Sequence, residues 1–274
     1  MDLAELCRRI ELPAGMTDRV LTFDRDFDQA TIAKATHNLL RRATWEQAIK
    51  DIQGILGDDP AGVKILACLL RCACKTHQTY SEKGIPEIIF IDTMKFFSRF
   101  VNFHQAVYGF PAFTWGWWVP RQLSLNEFRI GSLEYETVES ATDRKIHIHI
   151  ASDSDLTLPR LRESYLNARK FFADYFPAYA RADMICESWM LCPVLHELLP
   201  VSSRVLAFQR SFEVYKLDPE NNGFLQWVYG RKDTPFTDLP ETTSLQRNMK
   251  THLLQSGKIG WAHGKLVQNP FNDC

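Results

Sequence analysis

The sequence predicts an α+β or α/β protein in two parts, a helical domain over residues 1–120 and a mixed-sheet α/β sandwich over residues 121–274. Three observations predict this. The first ~120 residues carry apolar repeats at helical spacing and no strand alternation. At Pro111 the texture changes to PAFTWGWWVPRQL, a Trp-, Gly- and Pro-rich connection. Beyond it, alternating segments interleave with helical ones in the order ββαβαββα.

Each element has its own signal. Thr44-Trp45-Glu46-Gln47 has capping-box spacing ahead of Ala48, Ile52 and Ile55, with Gly57 as the stop. Asp59-Pro60 opens a second helix, AGVKILACLLRCAC, apolar nearly all round and therefore expected at the centre of its domain. Pro86 opens a third, running to Gly109. Phe128–Val138 and Lys145–Ile150 alternate and are expected to form a hairpin across the polar turn 139–143. Thr157 is placed as the N-cap of a helix with Pro159 in its first turn, Leu161, Tyr165, Ala168 and Phe172 on its apolar stripe, and Pro177 as its stop. ADMICESW then reads as a strand and PVLHELLP as a short helix. Val205–Leu217 and Phe224–Tyr229 read as two more strands, and Thr243-Ser244-Leu245-Gln246 as a capping box for a helix ending at Gly257.

Composition narrows the function. A formal net charge of −1, with no basic run longer than a pair, excludes recognition of nucleic acid or anionic membranes through a bulk field. The amino end MDLAELCRRIELP is charged and lacks an apolar h-region, so no secretory leader is expected. No stretch approaches the ~20 apolar residues of a membrane span, and a cytoplasmic location is expected. The seven cysteines sit mostly in apolar runs, which points to packed, reduced thiols rather than a disulfide framework.

Four blocks carry a resemblance: RQLSLNEFRIGSLEYE (121–136), IHIHIASDSDLT (146–157), CESWMLCPVLHELLP (186–200) and LPETTSLQRNMKTHLLQSGKIG (239–260). In order and spacing they resemble the acyltransferase family in which a helical N-terminal acyltransferase domain precedes a GNAT-like C-terminal domain. The resemblance implies transfer of an acyl group from acyl-CoA to an amine or similar small-molecule acceptor by direct attack. It further implies that the strand, loop and helix over 146–176 hold the coenzyme A diphosphate. Backbone amides near Ser152, Ser154 and Thr157 are then the cofactor-binding groups, where the open end of a helix favours an anion. The wider superfamily uses a glycine-rich loop here; this loop has no glycine and carries Asp153 and Asp155, which must point away from any phosphate. A non-catalytic binding or scaffold protein on the same fold is the alternative that this loop favours.

Glu187, near the end of its strand, is the candidate base for the amine proton, with His149 (through water) and His147 on a neighbouring strand as the other candidates. Against these stand plain structural roles: a carboxylate bonded to backbone, and histidines satisfied within a sheet. Glu134 and Glu136 alternate on the next strand, where they either face the same cleft as the histidines or form a solvated edge, and the solvated edge is expected. No metal is expected: the histidine pair lacks an evident third ligand, and Cys68, Cys72, Cys74 and His77 cannot converge, because residues on a helix advance by about 100° each. Trp115, Trp117 and Trp118 read as packing rather than as a platform for a sugar or acyl chain. Thr243, Ser244 and Arg247 stand at a helix N-terminus suited to an anion, and plain capping explains the first two. Cys192 and His196 read as core. No Gly-x-Ser-x-Gly elbow is present to supply a serine nucleophile.

Overall fold

A computed structural model describes residues 1–140, 143–232 and 234–267. Cys274 and the centre of the expected turn, Ala141-Thr142, lie outside these residues. The chain divides into two compact units, Met1–Ile130 and Gly131–Cys274.

The first unit contains α1 (Leu3–Arg9), α2 (Ala14–Asp26), α3 (Ala33–Leu39), α4 (Trp45–Leu56), α5 (Val63–Glu82), α6 (Glu87–Met94), α7 (Phe96–Tyr108) and α8 (Pro120–Leu123). It closes with the strand β1 (Glu127–Ile130). Helix α5 is its axis: Leu66, Leu69, Leu70, Cys72 and Ala73 are buried, and α1, α2, α4 and α6 pack around it. Burying a leucine-sized side chain contributes about 1.5–3 kcal/mol, so this one helix accounts for much of the unit's core. Its start is fixed by Asp59, whose two carboxylate oxygens each accept a backbone N–H at 2.9 Å, from Val63 and Ile65. The Arg71 guanidinium, paired with the buried Asp24 carboxylate, ties α5 to α2.

Two local expectations for this unit change. Thr44 occupies the N-cap position of α4, but its hydroxyl donates to the Asn38 carbonyl at 2.7 Å, and no capping box forms. The single helix expected from Pro86 to Gly109 is two helices that meet at Lys95, whose N–H is shared between the Ile91 and Thr93 carbonyls. Thr93 bonds back to the Ile89 carbonyl at 2.6 Å, a local competitor that loosens a helix end.

The second unit contains β2 (Leu133–Glu139), β3 (Arg144–His149), α9 (Leu158–Tyr175), β4 (Asp183–Ser188), α10 (Leu195–Leu198) and α11 (Arg204–Gln209). Then follow β5 (Phe212–Asp218), α12 (Phe224–Tyr229), α13 (Ser244–Leu254) and β6 (Trp261–Leu266). Its strands lie in the order β2-β3-β4-β6-β5, all neighbours antiparallel except β3 and β4. Ile146, Ile148, Met184 and Cys186 are buried on the face that carries α9. Helix and sheet are tied there by a 2.8 Å hydrogen bond between the Tyr135 and Ser164 hydroxyls. A second core cluster joins Trp189, Leu195, Leu206, Phe224, Met249 and Leu253.

The expected hairpin, the long helix after Thr157 and the strand at 183–188 are present. Three corrections apply. The alternating run Phe128–Val138 is two strands, parted at Gly131 (φ 62°) and Ser132. The expected strand Val205–Leu217 is helix α11 followed by β5, and the expected strand Phe224–Tyr229 is helix α12. Strand β6, absent from the sequence expectation, lies between β4 and β5. The capping box at Thr243 and Gln246 forms as expected, although α13 ends at Leu254 and not at Gly257.

Candidate active site

The pairing of the two parallel strands stops short of their carboxyl ends. Their pairing runs from Lys145 opposite Asp183 to Ile148 opposite Cys186 and stops there. From that point β4 continues alongside β6, with Glu187 opposite His263 and Ser188 opposite Ala262. His149, the last residue of β3, and Glu187 of β4 are thus the first side chains past the end of the pairing. The carboxyl ends of parallel strands, where a helix begins, are where open α/β sheets bind ligands. Helix α9 begins nine residues after His149.

Strand alternation places Glu134, Glu136, His147, His149, Glu187, His263 and Lys265 on the sheet face opposite α9. Ion pairs order that face. The imidazole Nε2 of His149 donates to Glu136 Oε2 at 3.0 Å, and Nδ1 of His263 lies 3.2 Å from Glu187 Oε1. Lys265 Nζ meets Asp183 Oδ2 at 2.7 Å. Glu134 and Glu136 are 7% and 8% exposed, so they are inner partners of the site rather than the solvated edge their alternation suggested. The Glu187 side chain, 40% exposed, is the open member of its pair, and His263, at 16%, is the inner one. Burial, seconded by the neighbouring His149 imidazole, holds His147 below the usual histidine pKa, against the upward pull of Glu187 and Glu136.

The loop between β3 and α9 satisfies part of its own backbone. Ser154 N–H bonds to the Ala151 carbonyl at 3.0 Å, and Thr157 N–H to Asp155 Oδ1 at 3.0 Å. Asp155 is held below the usual carboxylate range by the Thr157 amide and hydroxyl. Thr157 stands at the N-cap position of α9 in extended conformation, but its side chain makes no capping bond to the helix. The Ser154 hydroxyl oxygen is buried and has no hydrogen-bond partner among the described residues, the kind of orphan that a ligand or a water satisfies. Asp155 thus occupies one of the amides that sequence reasoning assigned to a phosphate.

The sites set aside on sequence look as follows. Burial pushes the Cys68 and Cys72 thiols up to about 12 and that of Cys74 to about 11, while His77 bonds to Glu87 at 3.1 Å. Protonated thiols are poor metal ligands. Cys192 is likewise buried, its pKa pushed up to about 12. Trp118 donates its indole N–H to Glu127 at 2.9 Å, and Trp115 packs on Phe100. Arg247 donates to the Glu241 carbonyl at 2.9 Å, close to the capping box.

His263 is the site residue that sequence reading missed. Its one signal was a histidine inside an apolar-alternating segment, WAHGKL, whose strand character Gly264 obscures.

Comparison with known proteins bears on this site. Residues 1–125 match the N-acyltransferase N-terminal domain, and residues 127–266 match the GNAT-like C-terminal domain. The fold is similar to the crystal structure of an acyltransferase in complex with decanoyl-CoA and teicoplanin, at 23% identity and TM-score 0.79, over 96% of this chain and 86% of that one. It is also similar to an acyltransferase in complex with decanoyl-CoA, at 21% identity and TM-score 0.75 over the same shares. A third similar structure, an acyltransferase with CoA and 10C-teicoplanin, is 22% identical at TM-score 0.79, again over 96% and 86%. Among curated proteins nothing matches.

Proposed function

Because this chain belongs to the acyltransferase family that joins an N-acyltransferase N-terminal domain to a GNAT-like C-terminal domain, we propose that it moves an acyl group from acyl-CoA to a small-molecule amine. The reaction is assigned to the parting of β3 and β4, and that parting is the observation that carries the reading. It places Glu187 and His149 just past the last paired residues, on the two strands that α9 joins in sequence. The similar solved acyltransferases hold acyl-CoA and CoA, and two of them also hold teicoplanins.

In the proposed reaction the diphosphate lies against the loop from Ser152 to Thr157 and the first turn of α9. The positive end of the helix dipole offsets the negative charges of Asp153 and Asp155. The acceptor amine attacks the thioester carbonyl carbon. As the new C–N bond forms, the amine proton passes to the Glu187 carboxylate; the C–S bond then breaks, and the coenzyme thiolate leaves and is protonated. His149, held by the buried Glu136 carboxylate, stands on the opposite side of the gap and can take the proton through a water. His147, whose burial disfavours its charged form, stands on the same strand face as His149.

One observation favours the non-catalytic alternative: Asp155 already caps the Thr157 amide. A single assay separates the two readings. The purified chain, given decanoyl-CoA or acetyl-CoA and a panel of primary amines, is expected to release free coenzyme thiol in a one-to-one ratio with N-acyl product. Acyl-CoA that binds but releases no thiol with any amine overturns the transferase reading and leaves the binding protein.

A further inference from the structure

We infer that His263 is the positioning residue for the proton-accepting carboxylate of Glu187, an inference that rests on the base assignment proposed above. The two residues are direct cross-strand partners on β4 and β6, the arrangement in which antiparallel side chains lie closest. Their Nδ1···Oε1 separation is 3.2 Å, and the imidazole is the more buried member, 16% exposed against 40%. The carboxylate is therefore held from the inside. With Oε1 in contact with Nδ1 of His263, Oε2 remains to receive the amine proton.

The backbone under His263 is rigid for a reason visible in the next residue. A Cβ on Gly264 would stand 2.9 Å from Leu191 Cδ1 and 3.0 Å from Phe212 Cβ, so β6 is clamped at that point. On its other side, β5 places Lys216 opposite His263 and the Tyr215 ring 6.2 Å from the imidazole centroid. A packed strand that holds one imidazole nitrogen against one carboxylate oxygen is the support a catalytic base needs, because a base left to rotate spends part of its time misaligned.

The test compares turnover of His263→Leu, His263→Asn and His263→Gln with that of the unaltered chain, using decanoyl-CoA and a primary amine, with thermal unfolding as the folding control. Asparagine carries an N–H close to the Nδ1 position, whereas glutamine carries it near Nε2. Losing the Nδ1 contact should lower kcat by about tenfold in His263→Leu and His263→Gln while KM for acyl-CoA stays within about twofold, and His263→Asn should restore most of the loss. In a Glu187→Gln background, His263→Leu should cost less than about twofold, because the group it orients is already gone. Should leucine fail to fold, the asparagine–glutamine comparison decides alone. Equal activity of the Asn and Gln variants, or a His263→Leu loss that persists undiminished in Glu187→Gln, overturns the inference. Unaltered turnover in Glu187→Gln instead overturns the base assignment beneath it.

Discussion

Replacing Glu187 by glutamine should abolish most of the turnover and almost none of the stability. Glutamine is isosteric with glutamate, and its carbonyl oxygen can take the place of Oε1, so the 3.2 Å contact with His263 Nδ1 survives in neutral form. What disappears is the charge and the ability to take a proton. A positioned general base contributes about 10²–10⁴-fold, or about 3–5 kcal/mol of barrier at about 1.36 kcal/mol per tenfold. The stability cost is the loss of the charge in that contact. At a side chain 40% exposed, solvent screening reduces that to below about 1 kcal/mol. At about 2–4 °C per kcal/mol, Tm should then fall by less than about 4 °C. Steady-state thiol release at saturating decanoyl-CoA and amine, read beside a thermal melt and an acyl-CoA binding isotherm, separates these effects. A kcat within threefold of the unaltered chain, or a loss matched by an equal loss of acyl-CoA affinity, refutes Glu187 as the base.

Three further outcomes are expected. Asp155→Ala removes the carboxylate that caps the Thr157 amide and a like charge beside the diphosphate, so coenzyme A should bind on the order of threefold tighter at low salt, an advantage that shrinks as salt rises; calorimetry showing weaker binding contradicts this. Burial holds the folded His147 pKa below its ordinary 6.5, so below about pH 6.5 the unfolded chain takes up a proton that the folded chain resists, and stability falls as pH drops. His147→Gln should flatten the pH dependence of denaturant midpoints between about pH 7 and 5, and an unchanged slope counts against it. Gly62→Ala forces an alanine into a left-handed backbone (φ 63°), where its Cβ would overlap the Phe113 carbonyl oxygen. The cost should be about 3 kcal/mol in urea melts, and a midpoint shift of less than a third of that contradicts the packing described.

Much of the fold was legible because several segments satisfy local and tertiary demands at once. The apolar run of α5 is buried in fact, the alternation of 145–150 is a strand, and the Thr243–Gln246 box closes with both hydrogen bonds. The errors fall where short windows carry two meanings. Phe224, Leu225, Val228 and Tyr229 have helical spacing, but six residues rich in β-formers suggest a strand; the stop at Gly230 (φ 73°) and the burial of Phe224 and Leu225 decide for helix. Ser203, whose hydroxyl accepts the Val205 N–H at 3.2 Å, starts α11 inside what alternation suggested was one strand. Strand β6 was invisible for a different reason: its central glycine is explained by Leu191 and Phe212, residues far away in sequence. His263 was lost with it. The Glu136–His149 pair was half legible, since both residues were noted, but burial of the carboxylate depends on tertiary packing that periodicity does not encode.

The central claim is that the loop leading into α9 grips a diphosphate at the gap between β3 and β4. Titrating the chain with decanoyl-CoA and, in parallel, with decanoyl-pantetheine, which lacks the diphosphate and nucleotide, tests this most directly. Saturable binding of decanoyl-CoA, at least about tenfold tighter than the pantetheine thioester and weakened by salt, is expected of a helix-terminus anion site. Equal affinity for the two, or no saturation by decanoyl-CoA at millimolar concentration, contradicts it.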